Sequence, residues 1–244
     1  MKLAVLFSGG KDSTYSIYKA KQDDHQIKCL VTLFPKSPDS QLLHFPNVEL
    51  TKFQSETMKI PQITAELSSN EVVEEMNALE TLLQKAKQDF QIDGIVHGGI
   101  SSEFQKKYFE NVCKEIGLKI VSPLWKTNPK EYMNEIISSG FQFILTSVSS
   151  DGLDETWLGK IISKSDISKL SKLSDKFGFN LNFEGGEAET FVVDCPLYSY
   201  PLKIIKSKIT WDGYRGVLKL SLIHISEPTR RYAIADGGVC VKKK

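Results

Sequence analysis

The stretch KLAVLFSGGKDSTYSIYKAKQD, residues 2–23, decides the fold. Residues 2–7 are a short, continuous apolar run, which is typical of a strand buried on both faces of a parallel sheet. The run ends at Ser8-Gly9-Gly10, and residues 13–23 then carry apolar side chains at helical spacing. A strand, a glycine turn and a helix in this order predict the start of a unit in which helices connect parallel strands.

The same alternation continues outward through the first half of the chain. Four further apolar segments follow at residues 27–34, 60–63, 94–97 and 118–121. Helical patterns lie between them at residues 53–58, 71–90 and 103–116. Strands that alternate with helices predict an α/β fold with a parallel sheet of the Rossmann-like kind and right-handed crossovers.

The sequence changes character after residue 127. Helical patterns at residues 129–139 and 166–177 flank an apolar strand at 141–148, and glycine-rich loops with short strands follow Asn180. We therefore predict a first domain at residues 1–127 and a smaller α+β domain at residues 128–219.

The end of the chain is treated separately. Residues 220–230, LSLIHISEPTR, resemble the conceptual translation of a common sequencing-library adapter, and a lysine-rich end follows. We predict that residues 220–244 are an artefactual or disordered tail. The alternative is a genuine C-terminal strand and tail.

The amino-acid composition argues against several classes of function. The chain has 244 residues, 41% of them hydrophobic, so it can bury a core without disulfides. Lys plus Arg number 31 and Asp plus Glu number 30, which leaves a net charge of +1 and predicts no strong binding to nucleic acid. No apolar run approaches the roughly 20 residues that a membrane-spanning helix needs. We therefore expect no membrane partner. Four widely spaced cysteines without a CxxC pair favour reduced thiols in a cytoplasmic protein.

The strongest chemical signal is SGGKDS at residues 8–13, between a predicted strand and a predicted helix. Two glycines let the backbone turn closely around an anion, and a helix N-terminus presents N–H groups and a positive dipole end. The spacing fits neither a Walker A loop nor a GxGxxG turn. It matches the SGGxDS signature of the ATP-pyrophosphatase, or PP-loop, superfamily. The alternative is a glycine turn that only caps a helix at Ser13.

Two acidic segments follow. EGGEAET at residues 184–190 places three acids around a Gly-Gly turn, which favours a nearby cation or positively charged substrate over a plain acidic turn. GLDETWLGK at residues 152–160 places two acids beside a tryptophan. Taken alone, that segment favours a helix cap followed by a tryptophan in the core.

Together these segments make the chain resemble the diphthine–ammonia ligase family, a branch of the PP-loop proteins. The similarity runs from residue 1 to about residue 219. The motifs that carry it are SGGKDS at 8–13, LLHFPN at 42–47, GGISSEFQ at 98–105, PLW at 123–125, GLDETWLGK at 152–160 and EGGEAETFVVDCPLY at 184–198.

The chain also departs from the family pattern. Lys106 and Tyr108 stand where the family usually has arginines, and Thr127-Asn128 replaces an Arg-Asp pair. Ala188 stands where a tyrosine or phenylalanine is usual. A lysine keeps the charge of an arginine but loses its bidentate fork, so these departures concern the substrate more than the nucleotide.

The resemblance implies a first domain that binds ATP with Mg²⁺ and a second domain specific to the family. It implies a ligase in which ATP activates the carboxylate of diphthine, a modified histidine on translation elongation factor 2, as an acyl-adenylate. Ammonia then displaces AMP to form the amide. It implies the fold of the adenine nucleotide alpha hydrolases, no metal site made of protein ligands alone, and leaves a homodimer open.

The resemblance also implies roles for particular residues. Asp12, Glu187 and Glu189 are the catalytic candidates. The candidates for nucleotide binding are Ser8, Gly9, Gly10, Lys11, Asp12, Ser13 and Gly98, with Asp12 organising the pyrophosphate or its magnesium ion. The candidates for substrate binding are His44, Trp125, Asp154, Glu155, Trp157, Glu184, Gly185, Gly186 and Glu187.

Three positions keep alternatives. A contact from Lys11 to phosphate is open, because Lys11 occupies the variable position of the signature. His97 follows a strand and could reach a ligand crevice, but we favour a satisfied core histidine. We expect adenine near Leu33 and Phe34.

Diphthine carries a trimethylammonium group, which aromatic faces and carboxylates bind well. We therefore expect Trp125 or Trp157, with Glu187 or Glu189, to hold it. The alternative functions are a PP-loop ligase for another carboxylate or a tRNA base, and a non-catalytic nucleotide-binding protein.

Overall fold

The structure is a computed structural model that describes residues 1–35, 47–69 and 71–225. In the first half of the chain the strands are β1 (Lys2–Leu6), β2 (Gln26–Phe34), β3 (Gln62–Glu66), β4 (Gly94–Val96) and β5 (Lys119–Val121). The helices are α1 (Lys11–Gln22), α2 (Thr51–Met58), α3 (Val72–Phe90) and α4 (Glu103–Glu115). The strands form one parallel sheet in the order β3-β2-β1-β4-β5, which confirms the predicted α/β fold.

Helices cover both faces of this sheet. Successive side chains of a strand point to opposite faces, so the apolar run of β1 serves two cores. Leu3 and Val5 pack in a cluster with Ile17 of α1 and Met58 of α2. Ala4 packs in the other cluster, with residues of α3 and α4. The continuous apolar runs in the sequence are explained by this two-sided burial.

The strand order reverses beside β1. The strand β2 pairs with one edge of β1, and β4 pairs with its other edge. In open parallel sheets, ligands bind in the crevice outside the carboxyl ends of the strands at such a reversal. Ser8 and His97, which follow β1 and β4, therefore lie where a ligand site is expected.

The second half of the chain builds a smaller antiparallel sheet, as predicted. Its strands are β6 (Gln142–Val148), β7 (Ala188–Asp194), β8 (Leu202–Trp211) and β9 (Gly216–Ile225), in the order β7-β6-β9-β8. The helices α5 (Pro129–Ser138) and α6 (Lys164–Phe177) accompany it. The strands β8 and β9 have 10 residues each, longer than the short strands expected after Asn180. Because β8 is an exposed edge strand rich in lysine, its sequence lacks the apolar run that marks the strands of the first sheet.

The strand β9 reaches into the predicted tail. It pairs with β8 as far as Ile225, so residues 220–225 form a strand, and an artefactual origin of residues 220–244 stays a prediction. Asn47 holds this strand, because its Nδ2 donates to the Leu218 carbonyl at 3.0 Å and its Oδ1 accepts from the Leu220 N–H at 2.7 Å. Residues 226–244 lie outside the described residues, and the domain boundary at residue 127 stays a prediction.

The two sheets share a hydrophobic core. Tyr15, Leu50 and Ile100 from the first half of the chain pack in the same cluster as Phe143 and Phe191 of the second sheet. Within the described part of the chain, no helix is both long enough and apolar enough to cross a membrane.

Candidate functional site

A cavity of about 450 Å³ opens at the carboxyl edge of the parallel sheet, where its strand order reverses. The predicted site residues in its lining are Ser8, Gly10, Lys11, Asp12, Ser13, Gly98, Glu184, Gly185, Gly186 and Glu189. Leu33, where adenine was expected, and His97, for which a core position was favoured, line it as well. Segments far apart in sequence meet there, because the turn at residues 183–190 of the second half faces the loop at residues 8–13. The predicted glycine loop and one of the acidic segments therefore form one site.

The glycine loop has the backbone conformation that its sequence requires. Gly9 has a φ of +79°, in the left-handed region that favours glycine. Its carbonyl accepts from the Val192 N–H at 3.1 Å and from Gln54 Nε2 at 2.9 Å. The Ser8 and Ser13 hydroxyls lie 3.1 Å apart across the loop. The second sheet thus helps to fix the loop through Val192 of β7.

The helix α1 begins at Lys11, two residues earlier than predicted, and its N-cap residue Gly10 has no side chain that could cap it. The Lys11 N–H donates to Thr190 Oγ1 at 3.0 Å. The next N–H groups of a helix N-terminus that opens into a cavity favour an anion there. This geometry suits the predicted phosphate cradle.

Lys11 is a buried cation, with 1% of its surface exposed. Its Nζ donates to both carboxylate oxygens of Asp12, at 2.8 and 2.9 Å, and to the Asn182 carbonyl at 2.6 Å. The ammonium also lies 5.7 and 5.6 Å from the ring centroids of Tyr132 and Phe183. The Lys11 ammonium is therefore hydrogen-bonded to Asp12 and to a carbonyl group of the second half of the chain. A contact from Lys11 to phosphate stays a prediction.

Glu184 joins the two halves of the site. Its carboxylate accepts from the N–H groups of Ile100, Ser101 and Ser102, at 2.8, 2.5 and 3.1 Å, and from the Ser101 hydroxyl at 2.5 Å. Such backbone donors bind an ionised carboxylate strongly. Glu184 therefore fixes the loop before α4, and this contact accounts for its position without a substrate.

The other two acids of this segment differ in their surroundings. Glu187 lies outside the cavity lining, and its Oε1 accepts from the backbone N–H and Nδ2 of Asn180 at 2.8 and 2.7 Å. Glu189 lines the cavity from the start of strand β7, where its N–H donates to Ser147 Oγ at 3.2 Å. Of the two, Glu189 is the better placed to meet a ligand.

The GLDETWLGK segment has the arrangement that its own sequence favours, a helix cap followed by a tryptophan in the core. Asp154 caps a 3-10 turn at Glu155–Trp157, where its Oδ1 accepts from the Thr156 N–H at 3.0 Å. Trp157 is 9% exposed and packs in the core of the second sheet. Neither residue, nor Glu155, lines the cavity of the site.

Trp125 is also outside that cavity lining, and the Lys106 ammonium lies 4.3 Å from its ring centroid. Of the four residues predicted to hold the trimethylammonium group, only Glu189 lines the cavity. That pairing stays a prediction. His44 lies outside the described residues.

The nonpolar part of the cavity suits a base. Leu33 lines it together with Leu6, Val31, Val48 and Leu79, whereas Phe34 does not. A cavity that combines a phosphate cradle with an apolar end fits a nucleotide. The expected position of adenine near Leu33 stays a prediction.

His97 is 1% exposed, and both ring nitrogens have partners. Its Nδ1 accepts from the Gly99 N–H at 3.1 Å, so the proton is on Nε2, which donates to Ser122 Oγ at 2.6 Å. Burial, and to a lesser extent the charge of Lys106, lower the pKa of His97 to about 4. These contacts agree with the favoured reading of a satisfied core histidine.

We expect His97 to make stability depend on pH. Because the folded pKa of His97 is about 4 against an ordinary 6.5, the unfolded chain takes up this proton first as the pH falls. Stability is then lost between pH 6.5 and 4, by about 2 kcal/mol from this group at pH 4.5 relative to pH 7. Urea unfolding at both pH values should show a smaller loss for His97→Gln than for the wild type. Equal losses would contradict the assignment.

Sequence reasoning missed three residues that build the site. Tyr132 donates its hydroxyl to Asp12 Oδ1 at 2.5 Å, Asn182 accepts from Lys11 through its carbonyl, and Gln54 bridges Gly9 and Val192. Tyr132 lies in an ordinary amphipathic helix, and a backbone carbonyl carries no sequence signal. Gln54 is a buried amide on α2, which the helical pattern alone does not distinguish from a surface residue.

The parallel sheet, the SGGKDS loop and the adjoining cavity define an α/β protein of the PP-loop class. Comparison with known proteins narrows this class. Residues 1–120 match the diphthamide synthase N-terminal domain, and residues 128–224 match the diphthamide synthase C-terminal domain. The chain belongs to the diphthine–ammonia ligase family, as its sequence motifs suggested.

Two mammalian relatives agree with this assignment. The diphthine–ammonia ligase of Homo sapiens is 32% identical over 257 residues, which cover 97% of this chain and 96% of that protein. The Bos taurus protein of the same name is 32% identical over 92% of each chain. A solved structure of a predicted subunit of tRNA methyltransferase from Methanocaldococcus jannaschii is 16% identical with a TM-score of 0.41, over 78% of this chain and 95% of that chain.

Proposed function

We propose that this chain is an ATP-dependent amide ligase that converts diphthine on translation elongation factor 2 to diphthamide. In this reaction ATP adenylates the carboxylate of diphthine, and pyrophosphate leaves. Ammonia then attacks the acyl-adenylate, and AMP leaves. The observation that carries the proposal is that both family domains match this chain around one cavity that contains the SGGKDS loop.

The physical chemistry of the reaction suits the site. A carboxylate is a poor acyl donor until one of its oxygens becomes part of a good leaving group, which adenylation achieves. The protein must then position the reactants and stabilise phosphate charge. The N-terminus of α1 and the Ser8 and Ser13 hydroxyls supply donors for the phosphates. Mg²⁺ would neutralise phosphate charge, and Asp12, which lines the cavity with its side chain 32% exposed, would be its protein partner.

The second half of the chain supplies the other wall of the site. Glu189 would face the diphthine or the attacking ammonia, because it is the acid of β7 that lines the cavity. Glu184 would support the reaction indirectly by holding residues 100–102 in place. A homodimer and a cytoplasmic location stay predictions from the sequence.

The deciding experiment measures AMP and pyrophosphate formed from magnesium-ATP. Diphthine-bearing elongation factor 2 and ammonium are each added or omitted. We expect turnover only when both are present, together with a diphthamide product that mass spectrometry detects on the factor. Turnover with another carboxylate or a tRNA, or nucleotide binding without turnover, would contradict the proposal.

A further inference from the structure

Asp12 is held by two donors from different parts of the chain. Its Oδ1 accepts from Lys11 Nζ at 2.8 Å and from the Tyr132 hydroxyl at 2.5 Å. Its Oδ2 accepts from Lys11 Nζ at 2.9 Å. Tyr132 belongs to α5, 120 residues away from Asp12 in the chain. The orientation of this carboxylate is therefore set partly from outside the glycine loop.

The Tyr132 hydroxyl has a fixed position and a fixed role. The side chain is 2% exposed, and its ring lies 5.8 Å from that of Tyr15, which packs edge-on against Phe141 at 5.1 Å. Burial, and then the charge of Asp12, raise the pKa of Tyr132 well above its usual value. Because an ionised carboxylate oxygen can only accept, the Tyr132 hydroxyl is the donor in this contact.

A count of acceptor positions shows where a ligand can still bind to the Asp12 carboxylate. An ionised carboxylate has about four acceptor positions, two on each oxygen. Lys11 and Tyr132 occupy both positions on Oδ1. Among the residues that the structure describes, Oδ2 accepts from Lys11 alone, and the side chain of Asp12 remains 32% exposed at the cavity. One acceptor position of Oδ2 is thus left for a ligand.

We propose that Tyr132 is a positioning residue, which with Lys11 fixes the Asp12 carboxylate so that the open acceptor position of Oδ2 faces the magnesium ion of the bound nucleotide. The proposal rests on the proposed function, in which Asp12 organises the pyrophosphate or its magnesium ion. Without the hydroxyl, the carboxylate keeps only its two bonds to Lys11 and loses the donor that α5 supplies to Oδ1, so it can rotate about its Cβ–Cγ bond. In this way a residue of the C-terminal half of the chain fixes the orientation of a carboxylate in the N-terminal loop.

Tyr132→Phe tests this directly, because it removes one oxygen and leaves the ring. We expect kcat for AMP formation to fall about tenfold, with KM for ATP and the affinity for a non-hydrolysable ATP analogue changed by less than about twofold. The matched control is Tyr15→Phe. Its hydroxyl lies in the same aromatic cluster and contacts Ser139 at 3.4 Å. This variant should keep the wild-type kcat.

Two kinetic outcomes would overturn the proposal. One is a wild-type kcat in Tyr132→Phe, and the other is an equal loss in both variants, which would indicate a general packing effect. Crystal structures of the wild type and Tyr132→Phe with the ATP analogue give a readout that does not need turnover. A rotated Asp12 carboxylate in the variant supports the proposal, and an unchanged one overturns it. If the wild type forms no diphthamide, the proposed function fails, whereas these structures still decide the role of Tyr132.

Discussion

Replacing Asp12 by asparagine is expected to lower AMP formation by roughly two orders of magnitude, the size of loss seen when one preorganised electrostatic contact to a reacting group is removed. Asparagine keeps the shape of the side chain but removes its charge and turns one acceptor into a donor. In either orientation of the amide that donor would face the Lys11 ammonium, together with the Tyr132 hydroxyl at the Oδ1 position or the ligand at the Oδ2 position. Both arrangements remove a favourable contact, since Lys11 donates to both oxygens in the wild type.

The measurement is the rate of AMP and pyrophosphate formation, with thermal unfolding recorded on the same samples. Asp175→Asn is the matched control, because Asp175 is an exposed residue of α6 outside the cavity lining. We expect the control to react at the wild-type rate. If Asp12→Asn also did so, the carboxylate would have no part in the reaction.

The second large effect is expected from Gly98→Ala. A Cβ atom at this position would lie 2.8 Å from both the Asp12 carbonyl carbon and the Ser13 amide nitrogen. These are backbone atoms in the first turn of α1, so relief requires the helix start to move. We expect a loss of about 3 kcal/mol in the free energy of unfolding, the upper part of the range for overpacked sites. The affinity for ATP should fall about tenfold or more, because the phosphate donors move with the helix.

Calorimetric titration with an ATP analogue and urea unfolding measure these two quantities. Gly178→Ala is the comparison variant, since a Cβ there meets no atom within 4 Å. Because Gly178 has a φ of +80°, alanine there would be in the left-handed region, and we expect the free energy of unfolding to fall by only about 1 kcal/mol. Unchanged nucleotide affinity in Gly98→Ala would show that the helix start tolerates displacement. The close approach at Gly98 is to the protein backbone, so the predicted approach of nucleotide to this residue stays a prediction.

The sequence predicted the first sheet well because its strands are buried on both faces. Runs such as residues 27–34 then have no polar alternation, and the glycine loop marks where β1 ends. Edge strands lack this signal, which explains why the length of β8 was missed. The position of Trp157 illustrates a different difficulty. A buried tryptophan beside two acids has the same sequence pattern whether it contacts a ligand or fills a core, and only packing distinguishes them.

Within the site, the sequence identified the residues of the loop and the acidic turn but not what holds them. Glu184 was predicted to bind substrate, whereas its described partners are three backbone N–H groups and the Ser101 hydroxyl, all more than 80 residues earlier in the chain. Backbone donors have no residue identity, so no pattern in the sequence could indicate this contact. Tyr132 was missed for a related reason, because its polar atom meets Asp12 only after α5 has packed.

The contacts around the glycine loop also have a consequence for the order of biosynthesis. Lys11 is hydrogen-bonded to residues 182 and 190, and Gly9 is hydrogen-bonded to Val192. Of the segments that build the site, the one that contains these three partners leaves the ribosome last. Contacts of such long sequence separation form late in folding. A nascent chain that has emerged only as far as β5 would carry the complete SGGKDS motif but not its supports. Nucleotide binding should therefore appear only after β7 has been translated and has paired with β6.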